Sequence, residues 1–174
     1  MRERILMLDS GLGGLTVFRE VQGARPQADY VYVADDAAFP YGGHDERALV
    51  IHVVDLMAEL IGKHGPDLVV ISCNTASTIV LPDLRSKFAL PFVGTVPAIK
   101  PACAASITRR VSVLGTNGTV EREYTHALIR DYASDCQVTL VGSKRLAAYA
   151  EAELAGAPVS DAVLYHRALF CRRR

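Results

Sequence analysis

The chain has 174 residues, half of them hydrophobic, with 19 Lys+Arg against 19 Asp+Glu and a formal net charge of zero. That balance gives no electrostatic case for a nucleic-acid partner or an anionic membrane surface, and no apolar run approaches the ~20 residues needed to span a bilayer. The length allows one domain with a good core or two small lobes. Cys73, Cys103, Cys136 and Cys171 lie about thirty residues or more apart, with no Cys-x-x-Cys pair. This argues against a zinc site and a disulfide framework, and fits a reducing cytoplasm. The apolar run after Arg4 stops at Asp9, too soon for a signal peptide. The expectation is a cytoplasmic α/β protein.

Taken in order, residues 5–8 (Ile-Leu-Met-Leu) predict a first strand, with Asp9-Ser-Gly-Leu-Gly-Gly-Leu15 as its exit loop and a helix to about Gln22. Residues 30–34 predict a second strand, closed by Asp35 and Asp36, and Phe39-Pro-Tyr-Gly-Gly43 is a loop by its Pro and paired Gly. A helix is expected over 44–63, with Leu49, Val53, Leu56 and Leu60 on one stripe. Gly65-Pro66 then turns the chain into the aliphatic run 68–71, the signature of a parallel strand buried on both faces. Cys73 stands where that run ends, and a helix is expected from Ala76 to Phe88. Residues 91–97 supply a short strand and exit loop.

Pro97 and Pro101 bracket a plausible boundary, after which strands at 111–114 and 137–141 and helices at 120–131 and 145–154 restart the same strand–loop–helix plan. Ser160 opens a segment that begins like a helix and degenerates into Cys171-Arg-Arg-Arg174. Two units are therefore expected, 1–97 carrying Cys73 and 98–174 holding a partial second lobe. Each is built on a parallel sheet between helices.

Several motifs can be weighed on their chemistry. Gly11-Leu-Gly13 after a strand, with Asp35 and Asp36 downstream, suggests a dinucleotide fingerprint, but Thr16 occupies the third glycine position and Asp9 would put a carboxylate beside the pyrophosphate. No Gly-x4-Gly-Lys-Ser/Thr loop is present, and Ile79 stands where a Cys-x5-Arg phosphatase loop needs arginine. His44, His52, His64, His126 and His166 form no metal-binding pair, and their ordinary place is a solvated helix face. The bland alternatives are a buried structural cysteine at 73, a helix-capping carboxylate at Asp9 and loop packing for Tyr41. Against the first, Cys73 lies at a strand outlet beside Asn74, Thr75 and Ser77. Ligands bind at such outlets in open α/β sheets, and a helix N-terminus there is expected to lower the thiol pKa.

Asp9-Ser-Gly-Leu-Gly-Gly-Leu15, Phe39-Pro-Tyr-Gly42, Cys73-Asn-Thr-Ala-Ser77, Gly94-Thr-Val-Pro-Ala-Ile-Lys-Pro101 and Val113-Leu-Gly-Thr-Asn-Gly-Thr-Val120 together resemble the glutamate racemase family, within the aspartate/glutamate racemase superfamily. The likeness covers roughly residues 5 to 160. It implies two similar α/β lobes and a cofactor-independent isomerase that interconverts L- and D-glutamate and supplies D-glutamate for peptidoglycan. A small-molecule substrate and homo-oligomers follow from it, and with the neutral charge and the His and Cys spacings no metal, nucleic-acid or membrane partner is expected. Cys73 would be one of two acid/base thiols and Asp9 its catalytic neighbour. Asp9, Ser10, Tyr41, Gly42, Asn74 and Thr75 would hold substrate, with Thr116 and Thr119 contributing from the second lobe. The chemistry suits thiols because an acid/base works best with a pKa near the operating pH.

The family's second thiol, in a Cys-Thr-His block, has no counterpart here, and Cys171 lacks the strand and the Thr-His that would carry that role. The second lobe is thus expected to be incomplete, and activity of the 174-residue chain an open matter. A racemase of another small amino acid such as aspartate, or a non-catalytic ligand-binding or interaction remnant, stays open at this point.

Overall fold

A computed structural model describes residues 2–157 and 160. The expected helical start at 160, the tail 165–174 and Cys171 fall outside or at the limit of the described residues. Among the described residues six strands and eight α-helices follow one another: β1 Arg4–Asp9, α1 Leu15–Ala24, β2 Asp29–Ala34, α2 Glu46–His64, β3 Leu68–Ile71, α3 Asn74–Ile79, α4 Leu81–Lys87, β4 Phe92–Gly94, α5 Ile99–Ala105, β5 Arg110–Gly115, α6 Asn117–Val120, α7 Glu123–Tyr132, β6 Gln137–Gly142 and α8 Leu146–Leu154. Two 3-10 turns, Asp36–Ala38 and Tyr41–Gly43, lie between β2 and α2. The chain divides into two compact units between Val96 and Pro97.

The first unit is a four-stranded sheet in the order β2-β1-β3-β4, every pair parallel. Because side chains alternate along a strand, β1 feeds both faces. Ile5 and Met7 pack with Val70 against Val17, Phe18 and Val21 of α1. Leu6 and Leu8 pack with Val69 and Ile71 against Leu49, Val53, Met57 and Leu60 of α2, Ala76 of α3 and Leu84 of α4. This is the three-layer arrangement read from the continuous aliphatic runs. Each such side chain taken out of water contributes about 1.5–3 kcal/mol, and the two central strands and the helices that cover them share this unit's hydrophobic stabilisation. The buried stripe of α2 is Leu49, Val53, Val54, Met57 and Leu60, so Met57 takes the central place expected of Leu56, which is only partly buried.

Local chemistry accounts for the helix limits. Asp45 accepts the Ala48 N–H at the start of α2, and Gly65, at φ 53°, closes it in the left-handed region that favours glycine. The single helix expected over 76–88 is instead two. The first begins earlier, at Asn74, and the chain restarts after Val80 with Pro82 in the first turn of α4. Proline has no N–H to continue the ladder, and its ring would strike the carbonyl four residues back, at Thr78. The helix expected over 120–131 is also divided. Thr116 accepts the Thr119 N–H to start α6, and the Thr125 hydroxyl donates to the Thr119 carbonyl past its end.

In the second unit β5 and β6 pair in parallel from Arg110–Gln137 to Gly115–Gly142. Ile99 and Cys103 of α5 and Ala133 after α7 form its buried cluster, with Val111, Val113, Leu128, Ile129, Cys136 and Val138 packed around them.

Candidate active site

Parallel pairing aligns the carboxyl ends of all four strands in the first unit. Past the last ladder positions the Asp35 N–H donates to the Asp9 carbonyl, the Ser72 N–H to the Leu8 carbonyl and the Thr95 N–H to the Ile71 carbonyl. The Ser72 hydroxyl also donates to the Leu8 carbonyl at 2.9 Å. The Ser77 hydroxyl donates to the Ile71 carbonyl at 2.9 Å and accepts the Thr95 N–H at 3.0 Å. These bonds hold the ends of β1 and β3 together, although Asp9 and Cys73 are far apart in sequence.

Asp9, the last residue of β1, is buried. Its carboxylate accepts the Gly14 N–H at 2.5 Å, and the Ser10 and Gly11 N–H groups and the Cys73 thiol act on it as further donors that favour its charged form. Burial outweighs these donors and pushes the Asp9 carboxyl up from its ordinary value. The expected capping role at the next helix is present as well, since Gly14 is the N-cap of α1. Gly14 has to be glycine: a Cβ there would lie 2.5 Å from Ser72 Oγ and 2.7 Å from both Asp9 Cβ and the Tyr32 hydroxyl.

Cys73 is the N-cap residue of α3, 8% exposed, with its Sγ 3.9 Å from the Ser10 hydroxyl. The Ala76 and Thr75 N–H groups favour its thiolate, as a helix N-terminus should. Burial and the neighbouring Asp9 charge win nonetheless, and the thiol is pushed up to about 11. The expected lowering is therefore overturned. The α3 helix is short, and two backbone donors do not offset a desolvated thiol facing a carboxylate. At rest the proton stays on sulfur.

Tyr41 is fully buried in the 3-10 turn that packs on α3. Its hydroxyl donates to Asp35, whose same oxygen is also bonded to His52 Nε2. The Tyr41 ring meets His44 and His52 edge-on, both with centroids 6.3 Å away. Burial first, then the Asp35 hydrogen bond and charge, and then the charges of Cys73 and Asp9 push the phenol well above its usual range. Asp9, Ser10, Tyr41 and Cys73 are thus brought together. Gly42 follows Tyr41 half-buried, Thr75 is buried, and Asn74 is exposed beside Cys73. Thr116 and Thr119 belong to the second unit, where their hydroxyls lie 3.0 Å apart.

Ser72, Asp35 and His52 were not among the expected site residues. In the sequence Asp35 suggests a nucleotide-binding acid and His52 a solvated histidine. The fold pairs them behind Tyr41, and no local pattern announces a contact between residues 17 apart on different elements. Among the described residues no group of three or more His, Cys, Asp or Glu could hold a metal ion, and no helix is long and apolar enough to cross a membrane.

A family model for Asp/Glu/Hydantoin racemase matches residues 16–163. The chain is 51% identical over 168 residues to glutamate racemase of Brucella anthropi, covering 96% of this chain and 60% of that protein. With glutamate racemase of Brucella abortus (strain S19) it shares 52% over 161 residues, 92% of this chain and 58% of the relative. Its fold superposes on Escherichia coli glutamate racemase, solved with L-glutamate and the activator UDP-MurNAc-ala, with TM-score 0.95 and 42% identity over 100% of this chain and 65% of that one. The Aquifex pyrophilus enzyme gives TM-score 0.75 at 28% identity, covering 94% of this chain and 64% of that one. The chain spans about 60% of the length of the curated relatives it matches. Parallel sheets between helices, a buried thiol at a strand outlet and a sequence match over most of the length agree: the chain belongs to the Asp/Glu/Hydantoin racemase family.

Proposed function

We propose that this chain carries one acid/base half of a glutamate racemase, with Cys73 as the proton-transferring thiol and Asp9 as its catalytic partner. The observation that carries the reading is the buried, protonated Cys73 thiol beside the buried Asp9 carboxylate at the outlet of β3. The relatives named glutamate racemase supply the substrate.

The geometry suggests how the thiol is switched on. A substrate ammonium beside Asp9 neutralises the carboxylate that holds the thiol up, so the Cys73 pKa falls and a thiolate forms only when substrate is bound. The thiolate then removes the Cα proton from one face, leaving a planar carbanion stabilised by its adjoining carboxylate. Ser10, Tyr41, Gly42, Asn74 and Thr75 bind the substrate's carboxylates and ammonium, and one well-aimed donor to a developing anion is worth ~10²–10³ in rate. The reaction takes no cofactor and no metal. In this reading the protein acts in the cytoplasm as a homo-oligomer, its product D-glutamate goes to peptidoglycan and so to cell wall and cell shape, and it has no nucleic-acid or membrane partner.

The test is proton exchange in D2O. By the family resemblance this thiol serves D-glutamate, so the 174-residue chain should place deuterium at Cα of D-glutamate with configuration retained, and Cys73→Ala should abolish that uptake. Proton NMR with polarimetry reads both outcomes. Exchange that survives Cys73→Ala would remove the thiol from the mechanism.

A further inference from the structure

Two thiols of the second unit, unused by the chemistry above, face each other. Cys103 on α5 is 1% exposed, whereas Cys136, between α7 and β6, is half-buried. The Cys136 thiol lies 3.7 Å from the Cys103 carbonyl, to which it can donate, and the Cys136 side chain helps to keep the Cys103 thiol protonated. The pair is held in place. The Cys136 N–H donates to the Ala133 carbonyl at 3.0 Å. Arg109 donates to the Cys103 carbonyl at 3.3 Å and pairs with Asp135 at 3.1 Å. Packing against Ile99 and Ala133 completes the surroundings.

We propose that Cys103 and Cys136 form a reversible dithiol–disulfide site that takes a hydroperoxide as its oxidant. Access sets the order of events. Cys136 reaches solvent, while Cys103 is sealed and burial pushes its thiol up, so Cys103 meets an oxidant only through Cys136. The Cys136 sulfur attacks the terminal peroxide oxygen, the O–O bond breaks, an alcohol or water leaves, and a sulfenic acid remains. The Cys103 sulfur then attacks the Cys136 sulfur and loses its proton, and hydroxide departs to become water. In sum two thiols lose two electrons and two protons to the peroxide and gain one S–S bond. With the Cys136 sulfur already in contact with the Cys103 backbone, side-chain rotation brings the two sulfurs to the S–S length of about 2.0 Å. The bridge ties α5 to the approach of β6, around β5 and α7, and stabilises this unit by restricting its unfolded chain. A dithiol reductant reverses it by exchange.

The experiment treats the 174-residue chain with hydrogen peroxide at neutral pH, blocks remaining thiols with N-ethylmaleimide and reads non-reduced peptides by mass. The expected product is a Cys103–Cys136 linked pair lacking two hydrogens, reversed by dithiothreitol, with a melting temperature several degrees above that of reduced protein. Cys136→Ser should abolish the link and leave Cys103 as a thiol, and Cys103→Ala should stop Cys136 at a sulfenic acid trapped by dimedone. Over-oxidation of Cys136 without a link, a Cys136–Cys136 dimer, or oxidation of Cys73 ahead of the pair would overturn the proposal. These readouts are independent of racemase activity.

Discussion

Asp9 and Cys73 share one electrostatic problem inside a dry site, because the Asp9 charge disfavours the Cys73 thiolate while the protonated thiol favours the Asp9 carboxylate. Removing the carboxylate takes away the second-largest influence holding the thiol up. Asp9→Asn should therefore alkylate faster at Cys73 with iodoacetamide at neutral pH, while deuterium exchange into D-glutamate falls. Peptide mass and NMR separate the two effects, and slower alkylation in Asp9→Asn would refute the coupling. In the unsubstituted chain, half-buried Cys136 should label before Cys73, which reverses the order that a lowered Cys73 pKa would give.

The same shift has a stability consequence. A thiol raised from 9.0 to about 11 in the fold keeps its proton where the unfolded chain has lost it. Its contribution is full below pH 9 and is lost as pH rises through about 11. The difference between the two values corresponds to about 3 kcal/mol. Urea midpoints should accordingly drop more steeply between pH 9 and 11 for wild type than for Cys73→Ala, and parallel curves would contradict the burial argument.

At the scale of elements, close approach decides which glycines tolerate a side chain. Gly14 joins β1 to α1 with Asp9, Ser72 and Tyr32 against it, and Gly94 ends β4 with Leu81 Cδ1 at 2.5 Å from a built Cβ. Gly62, inside α2, has nothing within 4 Å. Gly14→Ala should destabilise by about 1–3 kcal/mol through overpacking and displace the Asp9 carboxylate. Gly62→Ala should stabilise by about 0.5–1 kcal/mol, because it adds helix propensity without a clash. Denaturation midpoints of the two variants therefore move in opposite directions, and a shared sign would show that backbone entropy, not space, governs both.

Across the whole molecule the two units differ in how they are built. Residues 5–9 of β1 are buried throughout, and β3 has three of its four residues buried, with helices covering both faces. In β5 and β6 the described residues are exposed or only partly buried. Amide exchange should be slowest in β1 and β3 and markedly faster in β5 and β6, since opening the latter exposes less apolar surface. Equal protection in the two sheets would show that the second unit draws its stability from elsewhere.

Much of this was legible without coordinates. The aliphatic runs at 5–8 and 68–71 specify strands buried on both faces, Gly65-Pro66 specifies a helix stop, and the small polar residues after Ile71 place Cys73 at a strand outlet. These follow from the chain alone because period, capping and turn chemistry act between near neighbours. Even there the apolar face shared by residues 76–88 suggests one helix, whereas Pro82 in the first turn of α4 divides it in two. What only the tertiary structure decided is proximity and dryness. The parallel pairing of β1 with β3 brings Asp9 to Cys73, the turn packed on α3 brings Tyr41 with Asp35 and His52 behind it, and the second unit brings Cys103 to Cys136. The direction of the Cys73 shift belongs here too. A helix N-terminus can be read from residue types, but desolvation is the summed effect of every group packed around the sulfur, and those groups come from distant parts of the chain.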